Sequence, residues 1–360
     1  MTEVALPRDY ALNEANDRQA REAGLVSAEW YHSPISRAQL KALAARRDGP
    51  AIRDTMIWFA ALMVSGVAGF LTWETWWAVP CFFVYGLVYG GSTDSRWHEC
   101  GHGTAFKTHW LNMLVFQMAS FMVLREPTST RWSHARHHTD SIIVGRDPEI
   151  AFPRPPDILG IFLNIFVLKS GAIAFKNMCL HATGRLTKEQ RSYIPEAEHH
   201  KVYRVARIWL AIYAVVIATA VATHSILPLM YIGLPSFYGA WFIILVGLTQ
   251  HAGLAEDVLD HRLNARTVYM NPVFRFLYWN MNYHVEHHMF PSVPYYSLPA
   301  LHELMKSDTP TAYPSVLAAY REIIPALARQ VRDPRYYVVR ELPPGAANAM
   351  VKAFEPAKRR

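Results

Sequence analysis

The chain has few of the residues that would let it carry electrons, nucleotides or disulfides on its own. Its three cysteines, Cys81, Cys100 and Cys179, show no paired spacing among 360 residues, which leaves no disulfide framework, zinc finger or cysteine-held iron–sulfur cluster. No glycine-rich nucleotide loop and no fused heme-binding domain can be read from it. A net charge of +7 could suggest nucleic acid, but no helix-turn-helix and no basic, aromatic RNA-binding pattern accompanies it. The polar N-terminal stretch of about 50 residues has no cleavable signal peptide, and no repeat of solenoid length occurs. Charge is itself scarce, at 18% of residues, and it avoids particular segments.

Those segments decide the fold class. Residues 55–73 are uncharged over 19 positions, enough to cross a hydrocarbon core, and 75–93 form a second such run after Glu74 alone. A second pair lies at about 208–223 and 229–249, joined by His-Ser-Ile-Leu-Pro. Buried helices of a soluble enzyme are the bland alternative, and four such runs weigh against it. Residues 1–53 hold eight Lys and Arg, residues 94–207 and 250–360 are again basic, and the two hairpin tips hold none. Positive charge marks the cytoplasmic side, so both hairpins are expected to enter from it, in the cytoplasmic (inner) membrane, with both termini cytoplasmic. Residues 111–124 are too short to span, and 157–175 are broken by Lys169, Ser170 and Gly171; both are expected as interfacial or re-entrant helices. The expectation is an all-α integral membrane protein: two transmembrane helical hairpins (four spans), interfacial helices and a cytoplasmic histidine-rich di-metal cap. Its parts would be a cytoplasmic segment 1–52, a catalytic domain 53–305, and a cytoplasmic helix and tail 306–360. That helix is expected over 313–332, interrupted near Pro325, with a loose tail after about 342.

The cap is inferred from the histidines. Of 17, eight fall in three clusters, His98/His102, His134/His137/His138 and His284/His287/His288, each spaced to share one helical face. His251 follows the fourth run directly, which places it at the depth expected for His98 below the second. Nine imidazoles are too many for one metal of four to six ligands, and two metals in one site is the simplest arithmetic. Asp94, four residues before His98, could accept the outer N–H of a ligating ring or simply cap a helix. Asn280, four before His284, could hold a metal-bound water or be an interfacial polar residue. The remaining histidines (His32, His109, His181, His199, His200, His224, His261 and His302) lack the grouping and are read as bystanders.

Three chemistries compete for these residues. His98-Glu-Cys-Gly-His102 satisfies the H-E-x-x-H pattern of a zinc metalloprotease, with Glu99 as base, but that leaves both HxxHH clusters unexplained. A metal transporter should place its ligands near the bilayer midplane, whereas these lie just beyond the runs. An all-histidine pair of metals best fits two irons that activate O2 for oxidation of an unactivated C–H bond. Desaturation, hydroxylation and, at a carbon bearing an ether oxygen, demethylation branch from the same chemistry.

The order HxxxH, HxxHH, HxxHH around two apolar hairpins resembles the membrane fatty acid desaturase and alkane hydroxylase superfamily over roughly residues 50–305. The strings GGSTDSRWHECGHGTAFKT, WSHARHHTDS and YWNMNYHVEHHMFPSVPYYSLPALHE look like its rhizopine-oxygenase subgroup. The resemblance implies a cytoplasmic di-iron centre, with His98, His102, His134, His137, His138, His284, His287 and His288 as ligands and His251 as candidate for the ninth. Such enzymes can carry an asparagine four residues before that last histidine; this chain has Gly247, so a tenth interaction is absent or comes from Asn280. By analogy the substrate is a lipid acyl chain or a small molecule such as an O-methyl inosamine. Electrons would come from a separate Rieske-type or other ferredoxin and its reductase, because the chain holds no redox module of its own.

Overall fold

The structure is a computed structural model that describes residues 8–26 and 29–348. Among these residues the chain is helical, with no strand and two isolated bridges, Thr267 to Tyr283 and Val268 to Tyr313. Among the described residues two helices are long and apolar enough to cross a membrane, ending in Leu71 and Ala222, and a bent pair, Ile158–Asn164 with Leu168–Ala182, could make a third span. The uninterrupted portions of the two long helices, Asp48–Leu71 and His199–Ala222, hold all but the last residue or two of the first and third apolar runs. They expose Met63, Val64, Phe70, Val215 and Val221, large apolar side chains of the kind a lipid-facing surface presents.

The second and fourth runs are segmented. The first hairpin turns over residues 72–77, with Glu74 in the left-handed region at φ 70°. The chain returns as Ala78–Gly86, a π-helical segment Leu87–Gly91 and the helix Thr93–His102. The fourth run is divided into Leu227–Tyr231, Pro235–Tyr238 and Trp241–His251. The breaks occur where the two runs cross. A Cβ on Gly239 would collide with the backbone of Gly86, and one on Gly90 with the carbonyl of Pro235. This close backbone approach requires glycine, and glycine and proline together weaken a continuous helix.

The stretch 157–175 forms Ile158–Asn164 and Leu168–Ala182, bent by 77° about Val167 at φ 55°. Residues 111–124 fall largely within the helix His109–Met122, which packs against Thr93–His102. Their interface belongs to the largest buried cluster, which includes Trp97, Phe116, Phe242, Trp279 and Tyr295. Arg96 is fully buried within this part of the molecule. Its guanidinium lies 5.1 Å from the Trp58 ring and 4.9 Å from that of Trp279, and it donates to the carbonyls of Ser92 and Leu277. A charge so placed needs those acceptors.

The C-terminal helix is Val316–Arg332, and it continues through Pro325 instead of breaking there. Ser315 caps its start by accepting from the Ala318 amide, and Ala319, Ile323, Ala326 and Leu327 are buried along one face. Packing against Trp241–His251 offsets the backbone hydrogen bond that proline cannot make. Of the expected loose tail, residues 342–348 are irregular and residues 349–360 lie outside the described residues.

Candidate metal centre

Each cluster folds as expected from its spacing. His98 and His102 lie on Thr93–His102, which ends at Gly103 in the left-handed region. His134, His137 and His138 lie on Pro127–Thr139, started by Pro127 and by Glu126, which accepts from the amides of Thr128 and Ser129. His284, His287 and His288 occupy the short helix His284–Met289, and His251 ends Trp241–His251.

These helices bring the nine rings together. Nitrogens of His98, His102, His134, His138 and His287 all lie within 4.8 Å of one another, and those of His137, His251 and His288 form a second such group. His284 joins the second, its Nε2 2.9 Å from that of His251 and 3.0 Å from that of His288. In the first, Nε2 of His134 and His102 are 3.1 Å apart, and those of His287 and His138 3.3 Å. Two ligands at right angles on a metal with bonds of ~2.1 Å lie about 3.0 Å apart, so this spacing suits shared coordination.

The outer nitrogens supply a second test of fit. His134 Nδ1–H donates to Glu149 (2.8 Å), His137 to Asp147 (2.8 Å), His251 to the Asn264 carbonyl (2.6 Å) and His288 to Ser141 Oγ (3.1 Å). With the proton on Nδ1, each ring directs an Nε2 lone pair inward, the tautomer that a metal requires. Burial, reinforced by neighbouring rings, lowers the pKa of His98, His102, His138, His284, His287 and His288 far below the usual value, and that of His251 to about 3. Neutral rings are the form that coordinates. His137 differs: burial opposes its charge, but Asp147 outweighs burial and raises its pKa. Burial alone would raise Glu149, yet His134 beside it holds its pKa down at about 2.

Asp94 and Asn280 do not contact the rings as one of their two readings expected, and Glu99 does not face them as the protease alternative requires. Asp94 shares a helix with His98 but pairs with Arg125 at 2.9 Å, and no hydrogen bond joins it to an imidazole. Asn280 is not on the helical face of His284. It precedes that helix at φ 54°, accepts from Arg275 and donates to the Tyr295 carbonyl. The outer partners come instead from Ser141, Asp147, Glu149 and Asn264. Their one sequence signal is the acidic Asp147-Pro-Glu149 shortly after the second cluster. Glu99 is turned to Thr104 Oγ1 and the Tyr295 amide, at 2.6 and 3.1 Å, and burial pushes its pKa up to about 7. A protease base would have to face the metal-bound water, and Glu99 is engaged elsewhere.

Among the bystanders, His261 is buried, stacked on Trp30 with ring centroids 4.4 Å apart, and its ring lies 5.0 Å from that of His288. His302 bridges Tyr269 and Glu286 at 2.9 and 2.5 Å, bracing the third cluster from behind.

A family description, fatty acid desaturase, matches residues 74–320, a stretch that holds all nine of these histidines. The chain belongs to the fatty acid desaturase family. It is also 22% identical over 290 residues to an Arabidopsis thaliana protein described as the acyl-lipid omega-3 desaturase (cytochrome b5) of the endoplasmic reticulum. That match covers 75% of this chain and 70% of the relative. Family and histidine clusters together fit a membrane desaturase-like oxidoreductase.

Proposed function

We propose that the protein is a membrane-bound, non-heme di-iron oxidoreductase that uses O2 to oxidise a C–H bond. The observation that carries this reading is the convergence of nine imidazoles in two groups, with inner nitrogens free to coordinate and four outer nitrogens held. His98, His102, His134, His138 and His287 would hold one iron, and His137, His251, His284 and His288 the other. Two irons bound there would supply the electrons that reduce O2. Desaturation balances as two C–H hydrogens, O2, two electrons and two protons giving an alkene and two waters; hydroxylation leaves one oxygen on carbon and releases one water.

The chain's own residues position and insulate. Asp147, Glu149, Ser141 and the Asn264 carbonyl fix ring orientation, and Trp97, packed beside His98 and His134, shields the centre. Both hairpins would enter from the cytoplasmic side of the inner membrane, the segmented second and fourth runs filling the hydrocarbon layer together. The domain limits of 53–305 for the catalytic unit belong to the same proposal. A separate ferredoxin-type or other donor would deliver the electrons. A rhizopine-like methyl ether and an acyl lipid are the two substrate readings; peptide hydrolysis is disfavoured by Glu99 Oε1 bonding to Thr104 and the Tyr295 amide.

The test is oxygen dependence. Protein in lipid nanodiscs, given a reduced ferredoxin and candidate substrates, should form an alkene, alcohol or demethylated product only with O2. Product formation without O2 or reductant would overturn the reading.

A further inference from the structure

Among the described residues, two aromatic side chains besides the nine imidazoles make ring contacts with the candidate metal centre. One leads inward and the other outward. Trp97 meets His98 and His134, is 2% exposed, and continues to Phe116, which is 1% exposed. His261 is buried and meets His288, with ring centroids 5.0 Å apart. It is also stacked on Trp30, with centroids 4.4 Å apart and planes within 8° of parallel. Trp30 is half-buried, and Glu29 before it is exposed. A continuous column of rings therefore runs from the surface to His288.

The column is held in place along its length. Trp30 packs at the edge of a cluster of Leu25, Ile143 and Leu259, and the Tyr31 amide donates to the Leu259 carbonyl at 2.9 Å. The indole Nε1–H of Trp30 donates to the Thr139 carbonyl at 3.2 Å. Thr139 ends the helix of the second cluster and follows His138 directly. His261 starts the short helix His261–Asn264, which Asp260 caps by accepting from the Arg262 amide. Trp30 thus touches a ring that meets His288 in the four-ring group and the chain neighbour of His138 in the five-ring group. Any apolar residue could fill the edge of that cluster, but only an aromatic one continues a π stack. An electron tunnels through stacked rings and hydrogen bonds more readily than across a gap, because its amplitude decays fastest where no orbitals bridge the distance.

We propose that electrons enter through Trp30. A one-electron carrier protein presents its redox centre to this indole, and the Trp30–His261 stack bridges it to His288, with the Thr139 carbonyl as a second contact beside His138. This rests on the oxidative reading of the metal centre. In each transfer the carrier is oxidised by one electron and a bound metal is reduced by one. Neither ring changes oxidation state, and no bond is made or broken. Two such transfers supply the two electrons that O2 reduction takes from outside.

A photoreductant can replace the carrier in the test. A ruthenium polypyridyl complex is attached at Glu29→Cys in iron-loaded protein in nanodiscs, in a Cys81→Ser, Cys179→Ser background. It is flashed with a sacrificial donor present, and reduction of the oxidised metal is followed by absorbance. Trp30→Leu should slow that reduction severalfold while iron content and reduction potential stay unchanged. Trp30→Phe, which keeps a ring in the stack, should retain most of the rate. His261→Leu should slow it less than Trp30→Leu does, because the Thr139 contact remains. An undiminished rate in Trp30→Leu, a Trp30→Phe rate as low as that of Trp30→Leu, or a fall accounted for by lost iron or a shifted potential would overturn the proposal. Should Trp30→Leu fail to fold, His261→Leu carries the test, and an undiminished rate there would overturn it. No photoreduction of metals that dithionite reduces fully would also overturn it, while leaving the oxidative reading intact. Metals that dithionite cannot reduce would overturn that reading, and the proposal with it.

Discussion

The two halves of the candidate metal centre are built differently. In the five-ring group, His134 is held from outside by Glu149, whereas the Nδ1 atoms of His138 and His287 have no partner among the described residues. In the four-ring group, His137, His251 and His288 are each held, by Asp147, the Asn264 carbonyl and Ser141, and only His284 is not. The five-ring group draws two rings each from the helices Thr93–His102 and Pro127–Thr139, which fix their directions together. Both groups draw on three elements, but in the four-ring group only His284 and His288 share one, the six-residue helix His284–Met289; with one donor fewer, its orientation depends more on outer hydrogen bonds. Rigid helices and outer partners are alternative ways to preorganise a site.

The comparison breaks most visibly when a ring is removed. His287→Ala and His251→Ala should each lose about half or more of the bound metal, with activity down by more than about 100-fold, read by elemental analysis and turnover. Full metal content and activity in His251→Ala would make that residue a packing element, and the four-ring group would then lack a ligand. Asp147→Asn should weaken metal binding by about 10- to 100-fold in chelator competition, and Glu149→Gln by less, nearer the lower end. Asp147 carries more because it also accepts from the amides of Ile142 and Glu149. Equal losses would mean that the two halves depend on outer partners alike.

Acid should act next. A ring such as His251 takes up a proton below pH 6.5 in the unfolded chain but only near 3 in the fold, so the unfolded state binds more protons between those values. Stability and metal retention are therefore full above pH 6.5 and fall progressively as pH drops toward 3. Denaturation midpoints measured from pH 8 to 5 check the sign, and a rise on acidification would contradict it. The smallest effect is expected for Ser141→Ala, less than about threefold in metal affinity, because its oxygen makes one neutral hydrogen bond to His288.

Much of this centre was legible from spacing alone. Rings three and four apart share a helix face, so the three clusters, and the depth of His251 at the end of an apolar run, follow from periodicity. The outer partners were not legible. Asp147 and Glu149 lie in an irregular segment after the second cluster, and Asn264 reaches His251 from 13 residues away, where no period relates them. Of the two readings open for Asn280 and Asp94, the one beside a metal does not match their contacts: a turn separates Asn280 from the helix of His284, and the partner of Asp94, Arg125, is remote in sequence. Hydropathy likewise counted four runs but could not reveal that two are segmented. Gly86, Gly90, Pro235 and Gly239 carried that signal, and only their mutual contact explains it.

The central claim is two irons in one nine-histidine site, and metal content tests it most directly. Protein purified from iron-supplied cells should contain about two irons per chain, falling to about one or fewer in His251→Ala. About one zinc per chain and no iron would contradict the account.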